Sequence, residues 1–119
     1  MILKITFIAA LGTHLILVFS RYPKEVITVR NKLPDLFGVE AGPQLVRKSI
    51  AECSTLTYSN VNEPHEFGQP IWESYKISDD YELVVFYSSE LDKIKILSTV
   101  LQSPSGEIIF LGNKGDVAQ

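Results

Sequence analysis

Residues 71–111 read IWESYKISDDYELVVFYSSELDKIKILSTVLQSPSGEIIFL, and this stretch decides the fold of the chain. It contains four runs rich in Ile, Val, Tyr and Phe, which are residues typical of strands: 71–77, 81–87, 93–101 and 107–111. The segments between these runs are rich in turn-forming residues: Ser78-Asp79-Asp80, Ser88 to Asp92 and Ser103-Pro104-Ser105-Gly106. The pattern therefore predicts four antiparallel strands joined by hairpins.

Side-chain alternation assigns faces to these strands. In two of them the apolar residues of one face are Ile71, Tyr75 and Ile77, and Ile94, Ile96 and Val100. Leu83 to Tyr87 is apolar on both faces, which predicts a central position in the sheet.

The residues before the sheet predict one helix. Gly42-Pro43 is typical of a helix start, and residues 43–53 then follow a helical period. We expect an apolar stripe made by Leu45, Val46, Ser49, Ile50 and Cys53. The opposite side is expected to carry Arg47, Lys48 and Glu52.

The remaining segments complete the predicted fold. Glu25 to Arg30 is β-branched and predicts a short strand, whereas 33–44 and 54–70 predict loops because of their prolines and glycines. The predicted class is α+β, with one helix packed on a four-stranded antiparallel meander.

The N-terminus carries an apolar run, Ile5 to Phe19, with no acidic residue. A bilayer-spanning helix needs about 20 apolar residues, and the apolar core of a signal peptide about 7–15. We therefore expect residues 1–20 to be a signal peptide or a retained membrane anchor, which predicts an exported or membrane-anchored protein. A third possibility is that this run forms a buried helix of the fold.

Residues 21–119 are expected to form a single small domain. Their number suits one domain rather than two. Cys53 is the only cysteine of the chain, so no intramolecular disulfide can stabilise the domain. It must depend on its packed core.

Charge is unevenly distributed along the chain. The basic residues Arg21, Lys24, Arg30 and Lys32 follow the apolar run, and a basic flank of this kind suits contact with anionic lipid headgroups. From Ser49 onward the chain has four lysines and eleven acidic residues. This acidic part argues against nucleic acid as a partner, because phosphates would be repelled.

Two groups of residues have the chemistry of an active or metal site. Glu63, His65 and Glu66 lie close together in a loop, but a metal site usually needs three or four ligands in fixed geometry. Cys53 and His65 are a nucleophile and a base in principle, yet Cys53 lies on the apolar stripe of the predicted helix. We predict no catalytic residue, no metal site and no cofactor.

Aromatic residues in and after the 54–70 loop predict an interaction surface instead, because Tyr and Trp are favoured where partners bind. The candidate binding residues are Tyr58, His65, Phe67, Trp72 and Tyr75. The sequence thus favours a non-enzymatic domain that binds a protein or a small apolar ligand. The alternative is a small enzyme or metal-binding protein that uses the residue 53–66 region.

Overall fold

The computed structural model describes residues 21–90 and 92–113. Two helices precede five strands in the chain. The helices are α1, Lys24–Phe37, and α2, Pro43–Ile50. The strands are β1 (Ser54–Ser59), β2 (Ile71–Ile77), β3 (Tyr81–Glu90), β4 (Lys93–Gln102) and β5 (Ile108–Asn113).

The five strands form one antiparallel sheet in the order β1-β2-β3-β4-β5. The α+β class and the antiparallel sheet are confirmed, and β3 is the central strand as predicted. The predicted number of four strands was wrong. The fifth strand, β1, lies in a segment predicted to be a loop. Its composition is polar because it is an edge strand, and most of its side chains are exposed.

The segment Glu25 to Arg30, predicted as a strand, is part of α1. Its β-branched residues favour a strand locally, but tertiary packing overrides this preference. The buried side chains of α1 recur every three or four positions, as on one face of a helix: Val26, Val29, Leu33 and Leu36. The predicted 33–44 loop was also wrong at its start, because α1 continues through Pro34 to Phe37.

The helix predicted over 43–53 is present but ends at Ile50. Its predicted apolar stripe is correct for Val46 and Ile50, which are fully buried, but wrong for Leu45, which is 40% exposed. Gly42 precedes the helix, and a Cβ there would lie 2.9 Å from the Ile94 carbonyl oxygen. Glycine therefore allows the close approach of this loop to β4.

Both helices contribute side chains to one hydrophobic core on the same face of the sheet, which we call the inner face. Their core residues pack with the buried side chains of the strands: Ile71, Tyr75, Ile77, Leu83, Val85, Tyr87, Ile96 and Leu101. We call the opposite face of the sheet the outer face.

The prediction that Val100 of β4 lies on the same sheet face as Ile94 and Ile96 was wrong. An irregularity in the β3–β4 register pairs Phe86 with Ser98 and Tyr87 with Ile96, which leaves Leu97 as an extra residue. Such a β-bulge shifts the alternation by one residue. Val100 therefore lies on the outer face, whereas Ile94 and Ile96 lie on the inner face.

The predicted signal peptide or anchor, residues 1–20, lies outside the described residues. Within the described part of the chain, neither helix is both long enough and apolar enough to cross a bilayer.

Candidate functional site

The outer face carries one row of side chains that crosses all five strands. The register pairs Tyr58 with Ser74, Ser74 with Val84, Val84 with Val100, and Val100 with Leu111. The next row pairs Trp72 with Phe86. We call the apolar members of these two rows the outer band: Tyr58, Trp72, Val84, Phe86, Val100 and Leu111.

The outer band is accessible at both edges of the sheet. Tyr58 on β1 is 42% exposed and Leu111 on β5 is 60% exposed. The four members between them are half-buried by one another. The described helices pack on the inner face, so no described helix covers the outer band.

Polar residues border the outer band at both ends of the strands. At one end, Lys76 pairs with Glu82 and Glu82 with Gln102. At the other end, Glu90 pairs with Lys93. An exposed apolar patch with a polar rim is typical of an interaction site.

A β-bulge in β1 places Tyr58 on this face. Leu56 pairs with Tyr75 and Tyr58 pairs with Ser74, so Thr57 is the extra residue. Its hydroxyl donates a hydrogen bond to the Ser74 carbonyl at 3.0 Å. Without the extra residue, Tyr58 would be on the inner face, because each one-residue shift exchanges the two faces.

A buried carboxylate, Glu73, lies directly behind this part of the outer face. It belongs to β2 next to Trp72, and its side chain is fully buried on the inner face. Oε1 accepts hydrogen bonds from the hydroxyl groups of Tyr75 at 2.6 Å and Tyr87 at 3.1 Å. Oε2 accepts one from the Ser59 hydroxyl at 2.9 Å.

Arg47 completes this group. Its Nε lies 3.0 Å from Glu73 Oε2, and its Nη2 forms a second, short contact with the same oxygen. The sequence placed Arg47 on the solvent side of its helix, and this was wrong: the side chain reaches back to the sheet and is only 36% exposed. A long arginine side chain can do this because its stem packs along apolar surface while its guanidinium reaches a partner.

The pKa of Glu73 is the balance of two opposing effects. Burial raises it, but the hydrogen bonds from Arg47, Tyr75 and Ser59 together with the positive charge of Arg47 outweigh burial and lower the pKa. Burial and the neighbouring Glu73 carboxylate raise the pKa of Tyr75. The pKa of Tyr87 is also raised, mainly by burial and to a smaller extent by the nearby Tyr75 and Glu73. At neutral pH the group thus contains an ionised Glu73 and two neutral tyrosines.

The Glu73 group has a structural role. Both carboxylate oxygens already accept hydrogen bonds from several partners, so Glu73 is a poor base for a substrate. Its partners instead connect α2, β1, β2 and β3. Because Ser59 and Glu73 directly follow Tyr58 and Trp72 in the chain, the group also fixes the backbone beneath the aromatic end of the outer band.

A second buried residue, Asn60, closes the loop between β1 and β2. Its side-chain amide donates to the Pro70 carbonyl at 3.0 Å, and its side-chain oxygen accepts from the Trp72 N–H at 2.9 Å. Its backbone carbonyl oxygen lies 2.6 Å from His65 Nε2. His65 is therefore part of the loop's own hydrogen bonding.

Two clefts of about 500 Å³ each lie beside this loop and share Ile94. The first has Arg47 and the start of α2 in its wall. The second is lined by His65, Phe67 and Tyr87, among others. Cys53 lines a different cleft of about 240 Å³, so the described structure does not join Cys53 and His65 in one cleft.

The pKa of the Cys53 thiol is raised, chiefly by burial, which is the environment of an inert cysteine. In the described ranges, no group of three or more His, Cys, Asp or Glu side chains is arranged to hold a metal ion.

The predicted binding residues fall into three places. Tyr58 and Trp72 come together on the outer band, with stacked rings. His65 and Phe67 lie in the loop, where Phe67 is completely exposed. Tyr75 is buried to 1% exposure and bonded to Glu73, so it offers no surface to a partner.

Sequence reasoning missed Glu73 and the aliphatic half of the outer band. A signal for Glu73 was present, because strict alternation from Ile71 to Tyr75 places residue 73 on the inner face. Val100 was assigned to the wrong face because the β4 bulge has no clear mark in the sequence.

Comparison of the chain with protein-family models, with curated proteins and with solved structures found no match.

Proposed function

We propose that this chain is a non-enzymatic binding domain, exported or held at a membrane by residues 1–20, and that a protein partner docks on its outer band. The observation that carries this proposal is the row of side chains from Tyr58 to Leu111, in which Ser74 is the one polar member. In an antiparallel sheet with helices on one side, the side chains that point to the other face are normally polar. A row with four apolar members out of five departs from that rule.

The shape of the surface favours a protein over a small molecule. Small ligands bind in concave sites that enclose most of their surface, whereas the outer band lies on a sheet face. Its composition also suits a protein interface, whose central residues are enriched in Tyr, Trp and Phe and depleted in charge. Tyr58, Trp72 and Phe86 supply the aromatic rings, and no member of the outer band is charged.

The interior of the described domain supports a binding role rather than catalysis. The buried acid Glu73 is fully engaged by its partners, and Cys53 and His65 line different clefts. Neither arrangement offers an activated nucleophile or a free base.

The second candidate function is binding of a small apolar ligand in the cleft beside Arg47. Its volume of about 500 Å³ lies within the range of known ligand sites, about 300–1,000 Å³. Its walls combine the apolar Pro43, Leu45, Val61 and Ile94 with Arg47 and Asn62. Under this alternative, ligand binding would respond to Leu45 and Arg47 and not to Leu111.

The proposed attachment to a membrane involves the start of the described domain. Arg21 and Lys24 are exposed directly after residues 1–20, which suits contact with anionic headgroups. Lys32, by contrast, donates to the Ser49 carbonyl at 2.8 Å and lies 3.6 Å from Glu52, so it serves the contact between the helices. The intact mass of the mature protein tests this part, since cleavage would remove about 20 residues.

Site-specific photocrosslinking in the producing cells tests the docking surface. A photoreactive residue at position 111 should give a crosslinked product of defined mass. The same residue at Lys48, which is exposed on α2, serves as the matched control and should give none. Tyr58→Ala should reduce the product formed at position 111, because it alters the opposite end of the same row. Equal labelling at positions 48 and 111 would contradict the proposed docking surface.

A further inference from the structure

We infer that the partner on the outer band is a second copy of this chain, packed sheet against sheet about a two-fold axis that runs along the strands. This inference rests on the proposed function, because it identifies the protein that docks on the same surface. Three properties of the outer face carry it: its two unlike ends, its area and the absence of charge from the outer band at its centre.

The two ends of the outer face complement each other. The β1–β2 end is aromatic, with Tyr58 and Trp72, whereas the β5 end is aliphatic, with Leu111 and Ile108, which are 60% and 53% exposed. A two-fold axis along the strands reverses the strand order, so β1 of one copy lies over β5 of the other. Tyr58 then faces Leu111 of the second copy, and the same contact recurs on the other side of the axis, as in any two-fold interface.

The area of the face is sufficient for a dimer. Five strands about 4.8 Å apart and about 20–30 Å long offer on the order of 600 Å² of sheet face. Stable interfaces use about 600–1,000 Å² from each partner. A second sheet of the same twist is well suited to cover this face, because sheets pack about 10 Å apart with their strands within about 30° of each other.

The contact requires no buried charge in its centre. The members of the outer band are uncharged. Their charged neighbours Lys76 and Glu82 occupy opposite register positions on β2 and β3 at the rim, and the Glu82 carboxylate accepts a hydrogen bond from the Ser74 hydroxyl at 2.7 Å. Burial of an unpaired charge is the main cost that opposes such interfaces, and the outer band avoids it.

Two residues at the rim allow a direct test that leaves the outer band intact. Thr55 on β1 and Ile108 on β5 end one row of the outer face, through the pairs Thr55–Lys76, Lys76–Glu82, Glu82–Gln102 and Gln102–Ile108. In the proposed dimer, Thr55 of one copy faces Ile108 of the other across the sheets, about 10 Å away. The two Thr55 residues lie at opposite edges, about 20 Å apart along the sheet.

The experiment uses the full chain with Cys53→Ala, which removes the native thiol. Two differently tagged variants, Thr55→Cys and Ile108→Cys, are co-expressed and treated with a short bismaleimide in the cell fraction that contains them. We expect crosslinked pairs that carry both tags, and far fewer pairs in which both chains carry the same tag. Lys48→Cys, on α2, is the control and should give monomer.

A second variant tests whether the crosslink depends on the outer band. Leu111→Glu should reduce the mixed crosslink at least tenfold, whereas Leu45→Glu, at a comparably exposed leucine of α2, should leave it unchanged. Absence of mixed pairs, or a mixed crosslink unaffected by Leu111→Glu, would overturn the dimer. If mixed pairs are absent while position 111 photocrosslinks to a different protein, the dimer is wrong and the proposed docking surface stands. If position 111 also gives no product above the Lys48 control, both are wrong.

Discussion

The indole ring of Trp72 stacks on the phenol ring of Tyr58, with the ring centroids 4.2 Å apart and the planes inclined by 29°. The two residues belong to neighbouring strands, and the extra residue Thr57 brings them onto the same face. This aromatic pair forms one end of the outer band. Trp72 is the only tryptophan of the chain, so its fluorescence reports on this surface alone.

The first prediction concerns this stack. Tyr58→Ala should increase quenching of Trp72 fluorescence by acrylamide, because the ring that covers one side of the indole is removed. The free energy of unfolding should fall by about 0.5–1.5 kcal/mol through loss of the aromatic contact. Phe67→Ala, at a completely exposed ring in the adjacent loop, is the control and should change neither quantity. Unchanged quenching in Tyr58→Ala would show that the two rings do not stack.

The second prediction concerns the buried carboxylate. Glu73→Gln keeps the size of the side chain but removes the charge that Arg47 contacts and replaces one acceptor oxygen by a donor amide. Hydrogen bonds to charged groups contribute about 1.5–3 kcal/mol each, so we expect a loss of about 2–4 kcal/mol in a urea unfolding experiment. Glu63→Gln, at an exposed position, should change stability by less than about 0.5 kcal/mol. Equal stability of the two variants would mean that the Glu73 group does not hold α2 to the sheet.

The third prediction is the pH dependence of stability. The pKa of Glu73 lies below the ordinary value of 4.5, so the folded state binds its proton less readily than the unfolded chain. Its contribution is therefore complete above pH 4.5 and is lost as the pH falls further.

Tyr75 and Tyr87 affect the free energy of unfolding at alkaline pH. Their pKa values lie above the ordinary 10.0, so their contribution is complete below pH 10 and is lost as the pH rises beyond it. Unfolding free energies measured from pH 3 to pH 11 should show a plateau with a fall at each end. The acid fall should be smaller in Glu73→Gln, and an identical acid limb in that variant would contradict the assignment.

The fourth prediction concerns Thr99, whose side chain is fully buried on the inner face. Its Oγ1 has no hydrogen-bond partner within the described structure. Thr99→Val removes this unsatisfied hydroxyl at nearly constant volume and should raise the unfolding free energy by about 1 kcal/mol. Thr57→Val, which removes the hydroxyl bonded to the Ser74 carbonyl, should lower it. A destabilised Thr99→Val would show that the hydroxyl has a partner.

The sequence predicted those parts of the fold that depend on local pattern. The strands 71–77 and 81–87, the turn between them and the helix start at Gly42-Pro43 all carry signals that nearby residues suffice to interpret. The turn predicted from Ser88 to Asp92 was wrong at its start, because β3 continues to Glu90 in its pairing with β4. Residues 25–30 carry no such signal. This β-branched segment favours a strand locally, but it forms a helix because two of its valines are buried in the core. β1 escaped prediction because an edge strand needs few apolar residues.

The candidate site was predictable only in part. Tyr58 and Trp72 were expected to bind a partner from their residue type, and Tyr75 was expected to do so for the same reason, although it is buried. Strand register decides between these outcomes. The extra residue Thr57 turns Tyr58 outward and Leu97 does the same for Val100, and neither bulge is marked by a glycine or a proline.

The central claim is that a second copy of this chain covers the outer band. Its most direct test is acrylamide quenching of Trp72 in the full chain as a function of protein concentration, compared among wild type, Leu111→Glu and Leu45→Glu. The inferred dimer predicts that Trp72 is protected at high concentration and becomes more accessible on dilution, in wild type and in Leu45→Glu alike. In Leu111→Glu, Trp72 should be quenched at every concentration as strongly as in the diluted wild type, although residue 111 lies three strands away from Trp72. The same quenching constant in all three proteins, independent of concentration, would contradict the claim that a second copy covers this face.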